Sequence, residues 1–372
     1  MEKPNVSAFY KILIQDLGFQ PREKQDIALQ QLAKFAVEGT NDDLFLLKGF
    51  AGTGKTTIIS SFVKNLWKIK KSGVLMALTW RAAKVIANYS KREAFTIHKK
   101  IYFPKKSGGS GIQFVLQPNK HKNTIFIVDE ASMIADHPGD SKNFDNGSLL
   151  DDLMEFVYSG HKCQLIFIGD TAQLPPVKMD MSPALDQDKL RTGFFKEVGH
   201  IELDEVVRQS EESDILHNAT LIREAIREEF YESFKFELGP KADVVRLVDG
   251  YEIMEAIQDA YHSLGNEETS IIVRSNKRAN QYNQQIRSRI LFQEEEISAG
   301  DYLMVVKNNY FWVKPSSEAG FIANGDIVKV LEIFAIKELY GFRFAEVSVQ
   351  MVDYPKMSPF ETVVMLDNLT SN

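Results

Sequence analysis

Leu44–Thr57, LFLLKGFAGTGKTT, is the stretch from which the fold can be read. Leu44 to Leu47 are apolar throughout and predict a short buried strand. Gly49 to Thr56 then follow the spacing G-x-x-x-x-G-K-[ST], and a helical run begins behind them. The spacing has a physical reason. Successive backbone N–H groups must turn inward to hold phosphate oxygens, and side chains there would block the approach. The start of the helix adds its partial positive charge. Gly49, Gly52, Thr53, Gly54, Lys55, Thr56 and Thr57 are therefore the candidate cradle for a nucleotide. Lys55 would reach the outer phosphates, and the Thr56 hydroxyl would ligate Mg²⁺. The same glycines would also serve a plain strand-to-helix turn.

Outward from this stretch, strands and helices alternate. Upstream, Ser7 to Gly18 and Arg22 to Val37 read as helices, the second opened by Pro21 and closed near Gly39. Downstream, strands are expected at 74–78, 124–128 and 165–168, with helices at 57–67, 80–89 and 149–157. That alternation predicts an α/β fold with a parallel, doubly wound sheet. An NTPase needs a carboxylate for Mg²⁺ and a group to prepare the attacking water, both at the C-terminal edge of the sheet. Asp129 and Glu130 directly follow the 124–128 strand and fit these roles, with Asp129 joining Thr56 on Mg²⁺. Gln173, after the 165–168 strand, would sense the γ-phosphate.

Charge points to a second ligand. The 372 residues sum to −7, yet Leu44 to Val128 carry sixteen Lys or Arg against a single acid, Glu93. A nucleotide needs one or two of those cations, so the surplus favours a nucleic-acid backbone over a merely solvated basic face. Within this segment, Ile101–Phe103 and Ile112–Leu116 flank SGGSG and read as a basic β-hairpin, the alternative being a disordered loop. A single cysteine, Cys163, excludes an internal disulfide and a cysteine-based zinc site, and reads as a core filler. No run of about 18 apolar residues exists. With no apolar signal core at the N-terminus, a cytoplasmic protein without membrane contact is expected.

Beyond residue 200 the pattern is α/β again. Strands are expected at 244–248 and 270–273, and helices at 213–230, 252–264 and 277–291. From Gly300 onward strands dominate, at 302–306, 327–333, 345–352 and 362–366.

GFAGTGKTT, IFIVDEASMI and LIFIGDTAQLPPV, in this order, resemble the motifs of superfamily 1 helicases, most closely the RecD-like branch related to the exodeoxyribonuclease V alpha subunit. The resemblance implies an ATP- and Mg²⁺-dependent DNA helicase moving 5′ to 3′ on single-stranded DNA. It assigns Gln25 to adenine. It assigns Thr79, Arg81, Thr96, His98, Lys99 and Asn276 to DNA, and Arg208 to the γ-phosphate from across a cleft. With Lys55, Glu130 and Gln173, Arg208 completes the catalytic set. The implied architecture has helices and a first RecA-like domain over 1–198, with the hairpin 99–123 as an insertion. A partial second RecA-like domain would cover 199–299, and an SH3-like insertion 300–372. A monomer acting at single/double-strand junctions, in repair or recombination, is implied as well. Trp80 departs from the usual small or polar residue. The family's last motifs do not follow LDNLTSN, so a shortened second motor domain is expected. An ATP-gated DNA-binding subunit and a small-molecule P-loop kinase remain the alternatives. The basic segment speaks against the kinase.

Overall fold

Two amphipathic helices precede the first strand. The computed structural model describes residues 5–106, 112–136, 148–205, 213–230, 233–241, 243–307, 309, 311–313, 317, 319, 322 and 325–370. Helix α1, Val6–Leu17, is capped by Asn5, whose side chain accepts the Ser7 N–H at 2.8 Å. Asparagine at this position satisfies one of the orphan amides at the start of the helix. Helix α2 spans Glu23–Glu38. Strand β1, Asp43–Gly49, then enters the glycine-rich loop, and α3, Lys55–Asn65, leaves it.

The next elements are β2, Ser72–Ala77; α4, Trp80–Ser90; β3, Ala94–Thr96; and α5, Ile97–Ile101. The hairpin strands β4, Tyr102–Lys106, and β5, Ile112–Leu116, follow. Then come β6, Thr124–Asp129; α6, Leu149–Ser159; β7, Gln164–Gly169; α7, Gln187–Phe194; β8, Glu197–Leu203; and α8, Asp214–Arg227. Six strands form one parallel sheet in the order β3-β2-β6-β7-β1-β8. All of them end on the same edge, at Thr96, Ala77, Asp129, Gly169, Gly49 and Leu203.

Both faces of the sheet are covered, which is why its central strands are apolar at every position rather than at alternate ones. On one face α1 to α4 bury Phe9, Leu29, Phe62 and Ile86 against Leu47, Ile127 and Ile166. On the other, Phe126 of β6 meets Phe156 of α6 edge-on, with centroids 5.7 Å apart. Truncating one such buried ring costs about 3–5 kcal/mol. Cys163 is fully buried, as expected of a core filler. The basic hairpin exists: β4 and β5 pair antiparallel from Tyr102↔Leu116 to Lys106↔Ile112. Its base is anchored by the Tyr102 hydroxyl, which donates to the fully buried Asp152 at 2.5 Å.

Two expectations differ from the structure. A second unit was expected to begin near residue 200, but Glu197–Leu203 is the sixth strand of the first sheet. It pairs with β1 along its whole length and turns Val198, Ile201 and Leu203 inward. The strands expected at 244–248 and 270–273 do not form among the described residues, and Val245, Val248 and Ile272 are exposed. An apolar, β-branched run becomes a strand only when another strand offers its backbone groups.

The chain divides into two compact units, Met1–Val244 and Val245–Asn372. The second holds α9, Gly250–Ser263, and α10, Asn276–Arg289, close to where helices were expected. It ends in an antiparallel sheet ordered β12-β11-β10-β9, from β9, Tyr302–Met304; β10, Ile327–Leu339; β11, Phe342–Met351; and β12, Phe360–Met365. No helix among the described residues is long and apolar enough to cross a membrane.

Candidate nucleotide-binding site

The cradle is built from β1, the loop Phe50–Gly54 and the first turn of α3. Two glycines are required by geometry. Gly54 sits at φ +90, and a Cβ there would meet the Gln25 side chain at 2.6 Å. A Cβ on Gly49 would lie 2.7 Å from the Leu203 carbonyl of β8. The loop also holds itself: the Thr53 hydroxyl donates to the Phe50 carbonyl at 2.8 Å. Thr56 is half-buried on the first turn of α3, and Thr57 beside it is exposed.

Lys55 folds back over this loop. Its ammonium donates to the carbonyls of Gly49 at 2.5 Å and Phe50 at 2.8 Å. Burial lowers its pKa, while the charges of Asp170, Asp129 and Glu130 pull it back up. Asp129, at the end of β6, has its carboxyl pushed up to about 6, first by burial and then by the Glu130 charge. The Glu130 N–H, 3.0 Å from Asp129 Oδ1, partly offsets this. Glu130 itself adopts a left-handed conformation, φ +55, which a non-glycine residue takes at a cost. Crowded carboxylates with too little positive charge suit a divalent cation. Thr56 and Asp129 are the residues that would hold Mg²⁺, which would neutralise charge on the outer phosphates.

Gln25 is 4 % exposed and turned into the loop. Its Nε2 donates to the Thr53 carbonyl at 2.9 Å, and its Oε1 accepts the Arg22 N–H at 3.1 Å. In this arrangement the amide braces the cradle from behind. Gln173 is exposed and accepts the Ser132 hydroxyl at 3.3 Å, tying the β7 edge to the turn after Glu130. Arg208 lies outside the described residues.

Two residues at the site were not anticipated. Asp170 is buried at the end of β7, and its charge is the largest acting on Lys55. Its signal was present, because it follows a buried strand as Asp129 does. Arg223 of α8 lies with its guanidinium carbon 5.1 Å from the centre of the Phe50 ring in the loop. It also donates to Thr220 Oγ1 at 2.7 Å. Nothing local marks one arginine in a charged helix.

The residues assigned to DNA divide. Thr79 and Thr96 cap α4 and α5, accepting the N–H groups of Ala82 and Lys99 at 3.3 Å each. Both caps lie at the sheet edge that carries the cradle, beside β2 and β3. Arg81 and Lys99 are exposed in the first turns of these helices. His98 is held neutral, with burial lowering its pKa to about 4. Asn276 begins α10 in the second unit and is exposed. Of four aromatic residues whose rings could stack on bases, Phe95 is half-buried with the Lys100 ammonium 4.7 Å from its ring centre, Tyr102 is buried on Asp152, and Phe103 and Trp312 are exposed.

A strand, a glycine loop, a lysine and converging carboxylates at the C-terminal edge of a parallel sheet define a P-loop nucleotide-binding domain of the RecA-like kind. Residues 33–179 match the family AAA_19, an AAA domain. Among individual proteins, the chain is similar to an uncharacterised protein, R530, of Acanthamoeba polyphaga mimivirus. They are 24 % identical over 369 residues, 90 % of this chain and 68 % of the other. It is also similar to the ATP-dependent DNA helicase dda of Enterobacteria phage T4, at 26 % identity over 307 residues. That match takes in 77 % of this chain and 62 % of the phage protein, under two thirds of its length. Solved structures similar to the chain include Pif1 helicase from Bacteroides in complex with ADP-AlF3 and ssDNA. It shows 15 % identity and a TM-score of 0.37, covering 92 % of this chain and 74 % of that one. Pif1 helicase from Candida albicans shows 17 % identity and a TM-score of 0.37, covering 93 % and 78 %.

Proposed function

We propose that the chain is an ATP-hydrolysing DNA helicase of superfamily 1 that moves 5′ to 3′ along single-stranded DNA. One observation carries the reading. Lys55, Asp129, Glu130 and Asp170 converge at the same sheet edge at which Thr79 and Thr96 open two helices. Similarity to the phage helicase supports it. In the reaction, the loop N–H groups and Lys55 would hold the phosphates, Asp129 and Thr56 would hold Mg²⁺, which would neutralise phosphate charge, and Glu130 would orient and deprotonate the attacking water. Gln173, Asp170 and Arg208 would report the γ-phosphate to the DNA grip. Coupling requires only that the grip differ between nucleotide states. The β4–β5 hairpin would divide strands at a junction.

The test is ATPase activity with and without oligo(dT), followed by unwinding of duplexes bearing a single-stranded tail on one end or the other. Stimulation by DNA, with unwinding from the 5′ tail alone, is expected. An ATPase rate indifferent to DNA sinks the motor. Stimulation without unwinding favours an ATP-gated DNA-binding subunit. Removing residues 104–118 should damage unwinding more than DNA-stimulated ATPase. Equal loss of both would remove the wedge role.

A further inference from the structure

The opposite edge of the sheet carries its own pattern. There, four neighbouring strands start from loops that each present an exposed cation. These are Arg92 before β3, Lys70 before β2, Lys122 before β6 and Lys162 before β7. Paired strands lie about 4.8 Å apart, so the cations span about 14 Å. Glu93 is the one acidic residue in these four loops. The next strand in the order, β1, begins with Asp43 after Asp42, so the strip ends sharply there.

The strip is rigidly built. Ser72 N–H donates to the Asn123 carbonyl at 3.0 Å, and Asn123 N–H donates to the His161 carbonyl at 2.9 Å. Three of the loops are thus stitched by their backbones. Lys70 and Lys162 hold φ values of +58 and +53, where glycine is favoured and a side chain is strained. Two lysines therefore stand where a neutral glycine would suit the backbone better. Beside them, Trp67 is 66 % exposed on the turn leading into β2.

We propose that this ridge is a second contact surface for single-stranded nucleic acid, with phosphates along the cations and a base stacked on Trp67. It lies a strand length, about 20 Å, from the nucleotide cradle. Cations presented side by side from neighbouring loops favour a polyanion, which releases its own counterions on binding. Stacking on an aromatic face suits any base. An acidic protein segment would answer the lysines but leave the indole unused. The inference goes beyond the motor reading, because these contacts need no ATP.

The test uses the whole chain and the variant Lys70→Gly/Lys122→Gln/Lys162→Gly, titrated with oligo(dT) of about 8 and about 40 nucleotides and, as the acidic-peptide control, with polyglutamate. The parent should take up two equivalents of the short strand and the variant one, with DNA-stimulated ATPase retained. Affinity for the long strand should fall ten-fold or more. The salt dependence of its logarithm should flatten by about 2, roughly 0.7 for each phosphate that is no longer neutralised. The melting temperature should not fall, since glycine suits both left-handed positions. Trp67→Ala should weaken long-strand binding without changing the salt slope. One equivalent for both proteins, equal weakening at both lengths, or loss of polyglutamate binding with oligo(dT) binding intact would each overturn the proposal. A parent whose ATPase responds to DNA while the variant binds DNA like the parent removes the ridge alone. A parent that binds neither strand removes both readings.

Discussion

The two edges of the parallel sheet use lysine in opposite ways. At the C-terminal edge Lys55 is drawn into the protein, bonded to two backbone carbonyls and surrounded by Asp129, Glu130 and Asp170. At the N-terminal edge Lys70, Lys122 and Lys162 stay on the surface, held in line by the loops that carry them. The difference shows what a summed charge conceals. The surplus of cations between Leu44 and Val128 looks like one polyanion site in the sequence, but the fold carries Lys55, Arg81 and Lys99 to one edge and Lys70, Arg92 and Lys122 to the other. Chemistry requires the first kind of cation, desolvated and pre-oriented. Delocalised binding requires only the second.

The largest effect should come from the buried cation. Lys55→Ala should reduce ATP hydrolysis by about a thousand-fold, the upper range for removing one pre-organised donor that stabilises developing negative charge. No single ridge lysine should approach that figure. Comparing kcat for Lys55→Ala and Lys122→Ala at saturating DNA decides the matter, and similar losses would erase the distinction between the edges.

Next in size are two acid–base effects at the C-terminal edge that oppose each other. Asp129 has a folded value near 6, above the ordinary 3.8, so its ionised form is held at a cost that is full above pH 6 and is relieved progressively as pH falls from 6 to 3.8. His98 has a folded value near 4, below 6.5. The unfolded chain therefore binds that proton first, and stability is full above pH 6.5 and lost as pH falls toward 4. Each effect amounts to at most ~3 kcal/mol, and in the parent they largely cancel. Asp129→Asn should expose a loss of stability on acidification, and His98→Gln a gain. Chemical denaturation between pH 6.5 and 4 reads both slopes. Two variants that track the parent would show that neither group is held as the structure places it.

The sequence carried the cradle and the sheet, because both are written locally. An apolar run, a glycine spacing and a following helix lie within fourteen residues of one another. The carboxylates at Asp129 and Glu130 were legible for the same reason. Asp170 obeyed the same rule and could have been read with them. Arg223 could not, since its place over Phe50 depends on how α8 packs. Nor could the fate of Glu197–Leu203 or of 270–273 be read locally. Both carry apolar, β-branched residues, but one found β1 beside it and the other found no strand among the described residues. The N-terminal ridge was invisible for a related reason. Its cations come from four separate loops and become neighbours only through the strand order.

The smallest effect separates packing from recognition at Thr79. Its hydroxyl caps α4, and losing a threonine cap costs about 1 kcal/mol. Thr79→Ala should therefore lower stability by that amount whether or not DNA touches the site, so the alanine variant alone says nothing about binding. Asparagine caps helices at least as well as threonine but places a bulkier amide at the edge. If Thr79 only caps, Thr79→Asn should keep both stability and oligo(dT) affinity. If it also lines the DNA track beside the cradle, stability should hold while affinity for the strand drops several-fold, with the salt slope unchanged because no cation is removed. The same asparagine at Thr96, the second cap on this edge, repeats the test one strand away. A loss at both positions would draw the track across the ends of β2 and β3, whereas loss at neither would move it off this edge altogether.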